Sequence, residues 1–262
     1  MSDAESRDTA APIDVRTPST ARIYDYLLGG KDHFAADRVA AEKLKAAGPE
    51  MVEHAHANRR FVHKAVRLLA EEGVRQFVDL GSGIPTSPDV HDVARSVQPD
   101  AHVLYVDNDP VVAAHSRAWR APREGVRCIE ADIRDPGAFL ARQELSSAIE
   151  VGKPIAVLMT AILHFTQNAD EITQAFREWM PSGSFLVITT ATSEGSPERQ
   201  RTPVDYAYQS SATIAWRTRE EIEALFSGLE MLEPGLAETD MWRNPEGRSF
   251  PVKSLAGIGR KP

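Results

Sequence analysis

Apolar residues along this chain change their period twice. Over residues 19–73 they recur at helical spacing. Thr20 is placed to cap a helix over ARIYDYLL, which Gly29-Gly30 stops. Asp32 opens a second helix with Ala36, Val39, Ala40, Leu44 and Ala47 on one stripe, and Gly48-Pro49 breaks it. A third helix is predicted over residues 50–72, with Val62, Ala65, Val66 and Leu69 facing inward and Gly73 as its C′ residue.

Beyond Gly73 the apolar runs shorten to strand length. Five are predicted, at 76–80, 102–106, 127–130, 155–160 and 185–190. Helical stretches separate them. Pro88 and Pro110 each suit a first helical turn, where the missing N–H costs nothing. A less distinct helix falls in 136–149, and a strongly amphipathic one in 169–180, with Ile172, Phe176, Trp179 and Met180 on one face. Near-continuous apolar strands joined by helices imply a parallel sheet covered on both faces. The period then changes again. Thr218 and Glu221 form a capping box, and LEMLEPGL and SLAGIGRK follow as two strands with no helix between them. They are expected to close the sheet as a reversed hairpin at one edge. The organisation expected is a disordered arm (1–18), an N-terminal helical cap (19–73) and an α/β core (74–262). The arm has one alternative, a flap that orders over a ligand.

Composition narrows the function classes. The 262 residues carry a formal net charge of −8, which argues against nucleic acid as the main partner. One cysteine, Cys128, permits no intrachain disulfide. With no apolar run long enough for a membrane span and no signal-peptide core, a cytoplasmic setting is expected.

The chemistry begins at FVDLGSG, residues 77–83. Glycines after a first strand let the backbone turn tightly and let a ligand approach. A dinucleotide site would want a third small residue at the helix start, so that pyrophosphate meets the N-terminal N–H groups. That position is Thr86, and the helix starts late, near Pro88. Two more strands also end in acids. Asp107 in YVDND suits a ribose diol. Asp132 in IEADIRD suits an adenine amino group, with the Ile133 N–H toward a ring nitrogen.

DLGSG, YVDND and ADIRD resemble motifs I, II and III of class I S-adenosylmethionine-dependent methyltransferases. RIYDYLLGGKDHFAADR, ANRRFVHKAVRLLAEEGVRQFVDLGSG, VLYVDNDPVV and AILHF together resemble an actinobacterial methyltransferase family long catalogued as a domain of unknown function. The likeness runs from about residue 17 onward. It implies a Rossmann-like, seven-stranded, mostly parallel sheet whose last strand is antiparallel, with S-adenosylmethionine as cofactor. It implies that the backbone of Gly81, Ser82 and Gly83 passes the methionine part and that Asp79 orients the loop or the ammonium. Asp107 would bind ribose with Asn108 beside the adenine, and Asp132 and Ile133 would read the adenine edge. Pro85 stands where many relatives of the wider class have a third glycine.

Other candidates are weighed on their own residues. His164, after the fourth strand, is placed either as a general base or as a residue packing beside the cofactor. Lys31 in GGKDHF and Arg59 (or its neighbour Arg60) are candidate cations for the cofactor's carboxylate. His54, His56 and His63 lack a spacing that suits one metal ion, and no metal is expected. Tyr206, Tyr208 and Trp216 fall where a substrate lid would lie. The reading is a methyltransferase acting on a small-molecule acceptor. The alternatives are a non-catalytic S-adenosylmethionine sensor and an NAD-dependent dehydrogenase.

Overall fold

The computed structural model of the chain describes residues 14–209 and 211–262, so most of the arm expected over 1–18 lies outside the described residues. Three helices come first: α1 (Thr20–Leu27), α2 (Ala35–Ala47) and α3 (Glu50–Glu71). Then β1 (Gln76–Leu80), β2 (His102–Asp107) and β3 (Val126–Glu130) alternate with α4 (Val90–Arg95) and α5 (Pro110–Trp119). α6 (Pro136–Leu140) and α7 (Gln143–Ala148) replace the single helix expected over 136–149, and β4 (Ala156–Thr160) follows. A 3₁₀ turn at Leu163–Phe165 leads to α8 (Ala169–Trp179), β5 (Phe185–Ala191), α9 (Glu198–Tyr208) and α10 (Arg219–Ala224). β6 (Glu230–Met231), β7 (Ala237–Glu238) and β8 (Ser254–Arg260) complete the chain's elements.

The sheet runs β3-β2-β1-β4-β5-β8-β6, with β7 also paired to β8. β3 through β5 are parallel, and β8 is antiparallel to β5, as expected. Among the described residues the sheet has eight strands and not seven. The strand expected over 229–236 is interrupted, because Pro234 has no N–H to offer a ladder and Gly235 turns at φ 78°. Two short strands, β6 and β7, take its place along β8.

Alternate residues of each strand bury on opposite faces. Phe77, Val103 and Tyr105 pack with the later half of α3, α4 and Trp242. Val78, Leu104 and Val106 pack with α8 and its neighbours. A third cluster joins Ile23, Leu44 and Met51 to Val204 and Tyr208, so α9 docks on the N-terminal helices. α3 therefore serves both bodies: Met51 and Ala55 lie in this third cluster, and Phe61 to Ala70 lie against the sheet.

Local capping explains two differences from expectation, and the buried stripe of α2 is a third. α2 starts at Ala35 because Asp37 accepts the Phe34 N–H at 2.7 Å, and Asp32 instead donates its N–H to Asp25. Val39 on α2 is exposed and the buried stripe is Asp37, Ala40, Ala41 and Leu44. Pro88 lies one residue before the cap of α4. Asp89 is the cap, accepting from Val90, while Pro110 does sit in the first turn of α5.

Candidate cofactor and acceptor cleft

One cleft of about 530 Å³ opens at the carboxyl ends of β1, β2, β4 and β5. Its floor is the turn after β1. Gly81 and Ser82 donate their N–H groups to the Val106 carbonyl at 2.8 and 3.1 Å, which folds the turn over β2. Gly81 and Gly83 both have positive φ, 67° and 62°. Their side-chain spaces differ. A Cβ on Gly81 would run into Cγ2 of Ile162, whereas one on Gly83 meets nothing within 4 Å. The first glycine is thus required by packing as well as by backbone conformation, and the second leaves open room.

A buried cation holds this turn from behind. Arg120 donates to Ser82 Oγ at 2.9 Å and to the Gly83 carbonyl at 3.1 Å. Its Nε donates to Asp89 at 2.7 Å, and its guanidinium lies 3.9 Å from the Tyr105 ring centre. Nothing in the sequence around Arg120 or Asp89 marks them as partners of this turn. Neither stands in a local motif, and only the return of α5 toward α4 brings them together.

The three strand-end acids differ in state. Asp79 is buried on the cleft wall and has no hydrogen-bond partner for its carboxylate among the described residues. Burial pushes its pKa up to about 7, against the pull of Arg120. Asp107 accepts the N–H groups of Gly83 and Asp109, each at 2.9 Å, and burial raises its pKa as well. Asp132 is more exposed. Its pKa is lowered by Arg134, which closes on its carboxylate. Asn108 reaches Asp132 at 3.5 Å, and the Ile133 N–H has no partner among the described residues.

The N-terminal segment borders the same edge. Asp14, Thr17, Pro18 and Ser19 line the cleft, Ser19 Oγ donates to Asp109, and Arg22 holds the Thr17 carbonyl at 2.6 Å. Arg59 also lines it, but its guanidinium donates to the carbonyls of Thr86 and Pro88 at 3.1 and 3.0 Å. Lys31 is not brought there. It is exposed after the Gly29-Gly30 turn, where Gly30 packs on the Asp25 carboxylate. Arg60 instead pairs with Glu53 and Asp240 at 2.8 Å.

The cleft continues from the ends of β4 and β5 to beneath α1, α3 and α9. His164 lies here, half-buried, with its Nδ1 shielded from water and unpartnered among the described residues. Burial, with His54 and Arg217 nearby, drives its pKa down to about 3. His54 is likewise neutral, its pKa lowered by burial to about 4, and bonds Ser254 at 3.0 Å. His63 bonds the Pro88 carbonyl instead. Tyr208 and Trp216 line the chamber, and Tyr206 is exposed outside it. Among the described residues no helix is long and apolar enough to cross a membrane.

The chain matches the S-adenosyl methyltransferase family over residues 6–262. A provisionally assigned methyltransferase from Thermobifida fusca YX has a similar crystal structure, with 38% identity and a TM-score of 0.88. The match covers 95% of this chain and 96% of that one. A DUF574 family protein from Streptomyces avermitilis MA-4680 is similar at 36% identity and TM-score 0.90, covering 96% and 100% of the two chains. An S-adenosylmethionine-dependent methyltransferase from Anabaena variabilis ATCC 29413 shares 12% identity at TM-score 0.51 over 71% of this chain and 77% of that one, a likeness of fold alone. No curated protein matches the sequence.

Proposed function

The chain belongs to the S-adenosyl methyltransferase family, and from that premise we propose that it transfers a methyl group to a small-molecule acceptor bound beneath α1, α3 and α9. The cofactor is S-adenosylmethionine. When bound, it supplies a methyl group on a sulfonium, so the protein has only to position a nucleophile on the S–CH₃ axis and exclude water.

The observation that carries the site assignment is Asp79. A buried carboxylate with no partner is costly unless a cation answers it. The ammonium of the methionine part is such a cation, and Asp79 lines the cleft beside the Gly81–Gly83 turn. Asp107 fits the ribose. Its two oxygens already accept N–H groups from Gly83 and Asp109, which fixes their direction, and each keeps a lone pair for a hydroxyl. The unpaired N–H of Ile133 suits an adenine ring nitrogen, with Asp132 and Asn108 beside the amino group. Arg59 is the nearer candidate for the carboxylate, on condition that it releases one of its two loop carbonyls. His164 lines the cleft past the end of β4 and is the residue proposed to pack beside the cofactor.

Isothermal titration with S-adenosylmethionine, S-adenosylhomocysteine and NAD tests this reading. The first two are expected to bind. Binding of NAD alone would overturn the assignment. The continuation of the cleft past His164 supports turnover over mere sensing, and release of S-adenosylhomocysteine with a panel of acceptors measures it.

A further inference from the structure

A chain of hydrogen bonds ties α1 and α3 to the ends of β4 and β5, and each link has a direction. Thr189 Oγ1 accepts the Ala161 N–H at 2.9 Å and donates to Asn58 Oδ1 at 2.6 Å. Asn58 Nδ2 donates to Tyr24 Oη at 2.9 Å, and Tyr24 donates in turn to the Ala55 carbonyl at 3.0 Å. A carbonyl only accepts, so the Tyr24 proton is committed to Ala55 and a lone pair faces Asn58. Reversing the Asn58 amide would leave the Thr189 proton without an acceptor in this chain. The amide is therefore held with its oxygen toward β5 and its nitrogen toward α1.

That orientation leaves one donor over. Nδ2 carries two N–H bonds, and Tyr24 takes only one. The second has no partner among the described residues, although Asn58 is only 6% exposed and lines the cleft. A shielded N–H without an acceptor is costly, and a bound molecule with an oxygen lone pair removes that cost. Its place along the cleft bears on which molecule. Phe77 of β1 and Val187 of β5 pack on the α3 side of the sheet, and alternation puts Asp79 and Thr189 on that same side. The strand-end acids follow the sheet from β3 through β2 to β1. β4 separates β1 from β5, so the Thr189 anchor of Asn58 stands two strand spacings, on the order of 10 Å, beyond Asp79. Met51, Phe165, Val204, Tyr208 and Trp216 line the cleft on this side, where α9 docks on the N-terminal helices.

We propose that Asn58 selects the methyl acceptor: its second Nδ2 N–H donates to a hydroxyl or carbonyl oxygen carried on an apolar or aromatic body in this chamber. The proposal rests on the methyltransferase reading above and names the acceptor class for the same site. An ammonium group has no lone pair and would face this donor with another donor, so a cationic amine is disfavoured here. The cofactor's own carboxylate is the other oxygen that could take the N–H. The anchor on β5, beyond Asp79, favours the acceptor, and the experiment separates the two.

The test uses the full chain saturated with S-adenosylhomocysteine and two probes of one shape, para-cresol and para-xylene, of which only the first carries an oxygen. In NMR spectra of the isotope-labelled wild type, para-cresol is expected to move one Asn58 Nδ2 proton downfield, and para-xylene is expected to produce no such shift. Asn58→Asp keeps one oxygen for Thr189 and one for the Tyr24 proton but has no N–H. It is expected to weaken para-cresol about threefold to tenfold, the value of one hydrogen bond, and to leave para-xylene unchanged. Affinities for S-adenosylhomocysteine and for methylthioadenosine, which lacks the amino-acid part, are expected to stay the same in the variant. A loss confined to S-adenosylhomocysteine would assign the N–H to the cofactor carboxylate and overturn the proposal. Equal losses of both probes, an unmoved Asn58 amide in the wild type, or no binding of para-cresol would overturn it too. Failure of S-adenosylhomocysteine to bind the wild type would instead overturn the methyltransferase reading.

Discussion

Arg120 and Asp89 form an ion pair at 2.7 Å with side chains 1% and 5% exposed, directly behind the glycine turn. The pair is buried, and Arg120 spends its remaining donors on Ser82, Gly83 and Ser116. Removing one partner leaves the other charge uncompensated. Arg120→Met is expected to cost about 3–5 kcal/mol of stability. Urea denaturation of the variant checks this. Lysine is not an adequate substitute, because it lacks the planar fork that reaches Asp89 and the turn together.

Asp79 gives a pH dependence with two opposite signs. Its folded pKa, about 7, lies above the ordinary 3.8, so the folded chain holds a proton that the unfolded chain releases. Stability contributed by this group is therefore greatest at low pH and is lost as pH rises from about 4 to about 7. The gap corresponds to on the order of 4 kcal/mol. Asp79→Asn is expected to flatten this slope in melting curves taken across that range. Cofactor binding runs the other way. The ammonium needs the ionised carboxylate, so affinity for S-adenosylmethionine is expected to rise from about pH 5 to about pH 7 in the wild type. In Asp79→Asn that rise is expected to vanish, as titration calorimetry would record.

Asp107 binds both the loop and, on the proposed reading, the ribose. Asp107→Ala is expected to weaken S-adenosylmethionine by about 1–3 kcal/mol through lost charge-assisted hydrogen bonds. Calorimetry reporting unchanged affinity would remove Asp107 from the site.

The two glycines of the turn are expected to respond unequally to alanine. Gly83→Ala meets no neighbour and carries only the left-handed backbone penalty, about 1 kcal/mol. Gly81→Ala adds a collision with Ile162, and overpacking of that kind costs about 1–3 kcal/mol more. Adding Ile162→Ala to Gly81→Ala should relieve the collision, so a double-mutant cycle by thermal unfolding should show favourable coupling.

The parts of the candidate site written at strand ends are legible in the sequence. Asp79, Asp107 and Asp132 each close an apolar run, and the pattern needs only local periodicity to be seen. The antiparallel last strand was legible for a similar reason, since no helix separates LEMLEPGL from SLAGIGRK. Residues that meet only through topology were not. Arg120 reaches the turn from the far end of α5, 38 positions beyond Ser82. A glycine pair before a lysine is compatible with a cation beside a carboxylate or with a solvated lysine, and Lys31 is exposed and does not line the cleft. Here Gly30 is required by the Asp25 carboxylate pressed against it. His164 lines the cleft past the end of β4, and its lowered pKa comes from burial that no spacing reports.

The placement of β8 next to β5 bears on the order in which the molecule can mature during synthesis. His54 bonds to Ser254, 200 positions further along, and Arg60 pairs with Asp240. A nascent chain that has emerged only as far as β5 owns the Gly81–Gly83 turn and all three strand-end acids. It still lacks the strand that covers β5 and anchors α3. On the ribosome the glycine-turn floor of the cleft can therefore form early, but α3 is tied down over the chamber only after residues 254–260 have left the exit tunnel.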